Sequence, residues 1–127
     1  MNKPMTPPDS RILLVDDNQD MRQMLKEALE IEGYLVLEAA NGREALELQR
    51  RQPCRVLVTD IFMPDADGFE AIDSFRKEFP ETKIVVISGD ARVAKRDYLE
   101  AAKLIGADAT LPKPFEPEAL IQTLRAL

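Results

Sequence analysis

The sequence predicts an α/β protein: a doubly wound parallel β-sheet built from five β-strand–α-helix units. Five short apolar runs recur along the chain, and stretches with helical periodicity lie between and after them. The runs are nearly continuous Val, Ile and Leu rather than alternating apolar and polar residues. Continuous apolar strands are typical of sheets that helices cover on both faces. Regular alternation of strands and helices predicts parallel strands joined by right-handed crossovers.

The five predicted strands are the apolar runs at 12–15, 35–37, 56–58, 84–87 and, more weakly, 107–111. The first predicted helix places Met21, Leu25 and Leu29 on one face and stops at Gly33, a residue suited to helix C-termini.

The remaining helices have recognisable ends. The second is predicted to open at Asn41 with Glu44 three residues later, the spacing of a capping box, and to end at Pro53. The third is predicted from about Asp67 to Pro80, and the fourth over about 91–105, before Gly106. The fifth begins at 116–117, where proline suits the first helical position.

Composition indicates a single globular domain. The chain has 127 residues, of which 45% are hydrophobic and 31% charged, enough for a packed core without disulfides or metals. We assign residues 10–127 to this domain and interpret the Pro-rich segment 1–9 as a disordered tail. No apolar run approaches the ~20 residues of a membrane span, and the N-terminus lacks the apolar core of a secretory signal. No membrane partner is therefore expected, and the single cysteine favours a cytoplasmic location.

Residue counts exclude several functions. The chain contains no histidine, which excludes imidazole bases, His-ligated zinc and a phosphohistidine carrier. The single cysteine, Cys54, excludes a disulfide within the chain, and we expect a half-buried thiol rather than a nucleophile because no histidine activates it. The net charge of −6 argues against direct nucleic-acid binding by this domain.

Charged residues cluster at the predicted ends of the strands. Asp16 and Asp17 end the first strand, Asp60 the third, and Lys113 follows the fifth. In doubly wound folds these carboxyl ends border the functional crevice. Two carboxylates about 5 Å apart repel by roughly 3 kcal/mol at an effective dielectric of about 20. Either a cation binds or one carboxylate keeps its proton. Oxygen ligands suit Mg²⁺ or Mn²⁺. The structural alternative is that Asp16 and Asp17 cap the first helix, but Asn18 could fill that role instead.

Four motifs occur in order at the strand ends: Ile-Leu-Leu-Val-Asp-Asp at 12–17, Val-Leu-Val-Thr-Asp at 56–60 with Met-Pro at 63–64, Val-Ile-Ser at 86–88, and Leu-Pro-Lys-Pro-Phe at 111–115. Together they resemble the receiver domain of two-component response regulators over about residues 10–127. The resemblance implies a flavodoxin-like sandwich with strand order 2-1-3-4-5.

The resemblance also implies a chemistry. Asp60 would accept a phosphoryl group from a sensor histidine kinase, a phosphotransfer protein or a small acyl phosphate. Mg²⁺ would bind Asp16, Asp17, Asp60 and the backbone carbonyl of Phe62. Lys113 and Ser88 would contact the phosphoryl oxygens. Their plainer alternatives are a turn-capping aspartate, a loop lysine and a helix-capping serine. Such a domain is no enzyme beyond catalysing its own phosphorylation and dephosphorylation.

Three positions depart from the family pattern or tune it. Thr110 stands where many receivers carry an aromatic residue that turns inward on phosphorylation. By resemblance, Phe62 and Asp90 occupy positions that tune the lifetime of the phosphoryl group. The resemblance implies that phosphorylation changes the surface of the fourth helix, fifth strand and fifth helix, residues 91–127. A downstream protein or fused output domain would read that surface. The resemblance also allows a homodimer through it.

Three alternatives remain at this point. A haloacid-dehalogenase-type phosphatase would need Asp-x-Asp after the first strand, where the chain has Asp16-Asp17-Asn18. A flavodoxin-like FMN binder would need a Ser, Thr or Gly-rich loop there to hold phosphate. A receiver-like scaffold that is never phosphorylated is the third.

Overall fold

The computed structural model describes residues 10–60, 68–88, 106–112 and 115–127, with the backbone alone for residues 68, 69, 88 and 112. Its strands are β1 Arg11–Val15, β2 Leu35–Ala39, β3 Val56–Asp60, β4 Lys83–Ser88 and β5 Ala109–Pro112. Its helices are α1 Gln19–Ile31, α2 Gly42–Arg51, α3 Gly68–Glu78 and α4 Pro117–Arg125. The predicted fifth helix is thus α4. The predicted fourth helix and the predicted tail at 1–9 lie outside the described residues.

All five strands are parallel and form one sheet in the order β2-β1-β3-β4-β5. The predicted fold class and strand order are therefore confirmed. The strand order reverses beside β1, the first strand formed along the chain. This is the switch point at which open α/β sheets form a crevice outside their carboxyl ends.

Alternate residues of the strands supply two separate cores. In β1, Leu13 and Val15 join the core covered by α2 and α3, whereas Ile12 and Leu14 join the core covered by α1 and α4. Residues in β3 and β4 divide in the same way. Burial on both faces explains the continuous apolar strands of the sequence. Within the described residues, no helix is long and apolar enough to cross a membrane.

Helix ends follow the local signals in the sequence. Asn18 caps α1 by accepting a hydrogen bond from Met21 N at 3.0 Å, and Asn41 caps α2 by accepting from Glu44 N at 3.0 Å. Gly33, with φ +96°, follows the C-terminus of α1 in the left-handed region that glycine tolerates. Asn18, rather than Asp16 or Asp17, is therefore the residue that caps α1.

The fifth strand begins later than predicted, at Ala109 rather than residue 107. At Asp108 the backbone N–H still donates to Ile84 O at 2.7 Å, but the Asp108 side chain, rather than a backbone carbonyl, accepts the hydrogen bond from Ile84 N. Its Oδ2 accepts hydrogen bonds from Ile84 N and from Arg76 Nη2, each at 2.8 Å. The segment before β5 is therefore held by side-chain contacts rather than by the sheet alone.

Candidate functional site

Asp16 and Asp60 lie side by side at the carboxyl edge of the sheet. Val15 of β1 is the register partner of Thr59 of β3, and each aspartate is the next residue along its chain. Neighbouring strands lie about 4.8 Å apart. Both residues are buried, with Asp16 1% and Asp60 5% exposed. The sheet thus brings together two of the acidic residues that the sequence singled out.

Asp16 is held through its backbone and its side chain. Its N–H donates to Ala39 O at 3.2 Å, which extends the β1–β2 ladder by one residue. Its Oδ1 accepts a hydrogen bond from Asn18 N at 2.9 Å, and its carbonyl oxygen accepts one from Arg22 Nη1 at 2.6 Å. These contacts fix the turn between β1 and α1.

Asp17 differs from its neighbour in that it is exposed to solvent. Among the described residues, no three Asp, Glu, Cys or His side chains are grouped so as to hold a metal ion. The structure therefore brings Asp16 and Asp60 together at the sheet edge, and the metal-ligand role of Asp17 stays a prediction.

Two buried carboxylates fit the requirements of Mg²⁺. This ion keeps several of its water ligands and is commonly bound through one or two carboxylates, with phosphate oxygens completing the shell. Ca²⁺ takes six to eight oxygen ligands, most of them commonly from the protein, and two carboxylates supply few of these. The donor set among the described residues thus suits Mg²⁺ better than a fully protein-ligated cation.

Asp60 is the last residue of the central strand β3, and its register partner on β4 is Ile87. Ser88 follows Ile87, ends β4 and is the register partner of Pro112, the last residue of β5. The backbone of Ser88 therefore belongs to the same carboxyl edge as Asp60. The structure describes no side chain for residue 88, so the predicted hydroxyl contact stays a prediction.

Thr110 lies in β5 as the register partner of Val86 and is partly buried. Val86 belongs to the core covered by α2 and α3, so Thr110 lies on that face of the sheet. Lys113, Phe62 and Asp90, to which the sequence assigned roles, lie outside the described residues.

Cys54 is more buried than predicted, with 4% of its surface exposed. Burial raises the pKa of the Cys54 thiol to about 11, so the reactive thiolate is scarce at neutral pH. The residue precedes β3, at the amino edge of the sheet and away from Asp60. The interpretation of Cys54 as a structural thiol agrees with this setting.

The sequence analysis did not single out Arg22, which contacts the backbone of the site. One signal was available. Arg22 stands in the first turn of α1, where the helix dipole disfavours a positive charge. A basic residue there, five residues after an acidic pair, indicates a partner outside the helix.

Comparison with known proteins identifies the family. The model of the response regulator receiver domain matches residues 12–125. The chain belongs to this family. It is 39% identical over 115 residues to the chemotaxis protein CheY of Thermotoga maritima, covering 90% of this chain and 93% of the relative. It is also 39% identical over 117 residues to the response regulator MprA of Mycobacterium leprae, covering 92% of this chain but 50% of the relative.

The chain spans about half the length of the MprA response regulators that it matches, and nearly all of the CheY protein of Thermotoga maritima. Among solved structures, the receiver domain of NtrX from Brucella abortus superposes with a TM-score of 0.84 at 29% identity, covering 91% of this chain and 95% of that one. The chemotaxis response regulator CheY4 of Vibrio cholerae gives a TM-score of 0.80 at 34% identity, covering 93% and 98%. The resemblance stated from the motifs is confirmed, and with it a place in two-component signalling.

Proposed function

We propose that this receiver domain accepts a phosphoryl group on Asp60. The observation that carries the proposal is the position of Asp60, a residue that is 5% exposed and ends the central strand β3. It lies one register step beyond the Val15–Thr59 pair. A carboxylate oxygen can attack phosphorus directly. With a phosphohistidine donor, the new P–O bond replaces the P–N bond, and the imidazole leaves and takes up a proton.

The product is a mixed anhydride that water can hydrolyse, which suits a transient signal. Mg²⁺, held through Asp16 and Asp60 with Asp17 and the Phe62 carbonyl as further ligands, would supply positive charge to the phosphoryl oxygens. We assign to Lys113 an ion pair with Asp60 at rest and a phosphoryl contact afterwards. Ser88 donates its hydroxyl to another phosphoryl oxygen. Phe62 and Asp90 tune the lifetime, Phe62 by shielding the anhydride from water.

The signal is a change in surface. Phosphorylation replaces the single negative charge of Asp60 with about two, together with three acceptor oxygens. Ser88 and Lys113 respond, and the surface formed by residues 91–105, β5 and α4 changes its affinity for a partner. Because Thr110 replaces an aromatic residue, this response proceeds without an aromatic side chain turning inward at that position.

Response regulators act with kinases and output domains. For this chain we propose a sensor histidine kinase or phosphotransfer protein as donor and a downstream protein or fused output domain as reader. Homodimerisation through the reading surface, the lack of nucleic-acid binding and a cytoplasmic location stay predictions.

The test is mass spectrometry of the chain after incubation with acetyl phosphate and Mg²⁺. We expect a mass gain of about 80 Da, one phosphoryl group, that is absent from the matched variant Asp60→Asn. Labelling of Asp60→Asn to the same extent would place the acceptor elsewhere. A chain that takes up no phosphoryl group would instead be a receiver-like scaffold. Repeated turnover of a phosphate ester, rather than stoichiometric labelling, would point to a phosphatase.

A further inference from the structure

The peptide that joins Asp16 to Asp17 is fixed by a side chain from α1. Arg22 Nη1 donates to the Asp16 carbonyl oxygen at 2.6 Å. The other side of Asp16 is held by β2, through the bond from Asp16 N to Ala39 O at 3.2 Å. With both ends of the residue held, the backbone of Asp16 is fixed. Its carboxylate is then oriented on that backbone by the hydrogen bond that Oδ1 accepts from Asn18 N at 2.9 Å.

Arg22 is itself held by the edge strand. Its Nε lies 3.5 Å from Glu38 Oε1, and the other Glu38 oxygen lies 3.5 Å from Lys26 Nζ. Glu38 is the register partner of Leu14 in β1, so β2 places its carboxylate beneath α1. The Arg22 side chain is 16% exposed, which limits the positions that its guanidinium can occupy.

Helix stability does not explain this arginine. Its first-turn position sets a cation against the positive end of the helix dipole. Its Nε is buried and makes no hydrogen bond within the described part of the chain, since Glu38 lies at ion-pair distance only. Asn18 already caps α1. Arg22 is therefore unfavourable for the helix itself. Because its shortest hydrogen bond goes to the backbone of the acidic turn, we assign it a role at that turn.

We propose that Arg22 is a positioning residue for cation binding at the Asp16–Asp60 edge. Its guanidinium orients the Asp16–Asp17 peptide, and through it the Asp16 carboxylate, before the ion arrives. The inference rests on the proposed function, because it presumes that this edge binds Mg²⁺. Groups that orient metal ligands without touching the metal commonly change metal affinity by about 10- to 100-fold when removed.

The test measures Mg²⁺ affinity directly, by isothermal titration calorimetry of the full chain without any phosphoryl donor. We expect Arg22→Met to raise the Mg²⁺ dissociation constant about tenfold. The matched control is Arg43→Met, which removes an exposed arginine from the first turn of α2 and thus makes the same change in net charge. Arg43→Met should bind Mg²⁺ as the unchanged chain does. Circular dichroism establishes that each variant is folded at the temperature of titration.

An Arg22→Met dissociation constant within twofold of the unchanged chain would overturn the proposal, as would an equal loss in Arg43→Met. If Arg22→Met does not fold, Arg22→Lys replaces it, because lysine keeps the charge but loses the planar fork. Weaker Mg²⁺ binding in Arg22→Lys supports the role, and unchanged binding overturns it. Failure of the unchanged chain to bind Mg²⁺ would contradict the proposed function itself, and the two failures are thereby distinguished.

Discussion

Arg76 of α3 and Asp108, just before β5, are joined by an ion pair of 2.8 Å across 32 residues of sequence. The same guanidinium donates to the carbonyl oxygens of Pro80, Thr82 and Gly106. Arg76 therefore connects the α3–β4 turn to the segment that enters β5.

We expect Arg76→Ala to lower the free energy of unfolding by about 2 to 3 kcal/mol, because partly buried carbonyls and Asp108 lose a charged donor. Urea denaturation followed by circular dichroism measures the change. The neighbouring Lys77→Ala is the matched control, since among the described residues Lys77 pairs only with Asp73, in an exposed i,i+4 pair. That variant should lose less than about 0.5 kcal/mol. Equal losses in the two variants would contradict the role given to Arg76.

Alanine substitutions at two glycines with positive φ distinguish the stability cost of backbone strain from that of side-chain overpacking. Gly33 has φ +96° and nothing within 4 Å of an added Cβ, whereas Gly106 has φ +124° and a Cβ there would lie 2.9 Å from Arg76 Nε. We expect Gly33→Ala to cost about 1 kcal/mol from strain alone. Gly106→Ala should cost about 3 kcal/mol, since strain and overpacking add. Thermal unfolding measures both.

The excess cost at Gly106 has its own control. In an Arg76→Ala background the clashing side chain is gone, so Gly106→Ala should cost about as much as Gly33→Ala, within about 0.5 kcal/mol. An undiminished cost in the double variant would show that the backbone conformation of Gly106, not Arg76, is responsible.

Gln49 forms a buried hydrogen-bond network at the amino edge of the sheet. Its Nε2 donates to Cys54 O and Thr82 Oγ1, each at 3.1 Å, and its Oε1 accepts from Cys54 N at 3.0 Å. Gln49→Leu keeps most of the volume but leaves Cys54 N without its acceptor. We expect a loss of about 2 to 3 kcal/mol in urea denaturation. Gln23→Leu, on the exposed face of α1, should change stability by less than about 0.5 kcal/mol, and a similar loss there would count against the network.

The Cys54 thiol makes stability depend on alkaline pH. Burial raises its pKa from 9.0 to about 11, so the unfolded chain deprotonates first. The stability tied to the neutral thiol is complete below pH 9 and is lost as the pH rises from 9 to about 11. Two pKa units correspond to about 2 to 3 kcal/mol. Cys54→Ala should show a shallower fall over that range, which unfolding curves at pH 8, about 9.5 and about 11 would measure. Parallel curves would refute the assignment.

Features set by neighbouring residues were predictable from sequence. Asn18, Asn41 and Gly33 act within a turn of their own positions, and the alternation of apolar runs with helical periodicity was enough to predict the parallel sheet. The acidic edge was also predictable, because parallel strands bring their carboxyl ends together. The placement of Asp16 beside Asp60 follows from that rule and from the motifs.

Contacts that bridge separate elements were not predictable. Gln49 contacts Thr82 across 33 residues and Arg76 contacts Asp108 across 32, and no periodicity marks either pair. Arg22 and Glu38 meet only because β2 pairs with β1 in a particular register. The exposure of Asp17 was likewise hidden, since two adjacent aspartates give no sign of which one turns inward.

The parallel sheet separates the stabilising contacts of this molecule from its candidate site, because the two lie at opposite ends of the strands. The hydrogen-bonded anchors formed by Gln49 and Arg76 belong to the amino ends of the strands, whereas Asp16 and Asp60 stand at the carboxyl ends. Sequence change in the loops after the strands can therefore alter signal lifetime or partner choice while the anchors that secure the scaffold stay untouched. A lineage, or a protein engineer, could retune the response of such a domain without first having to restabilise it.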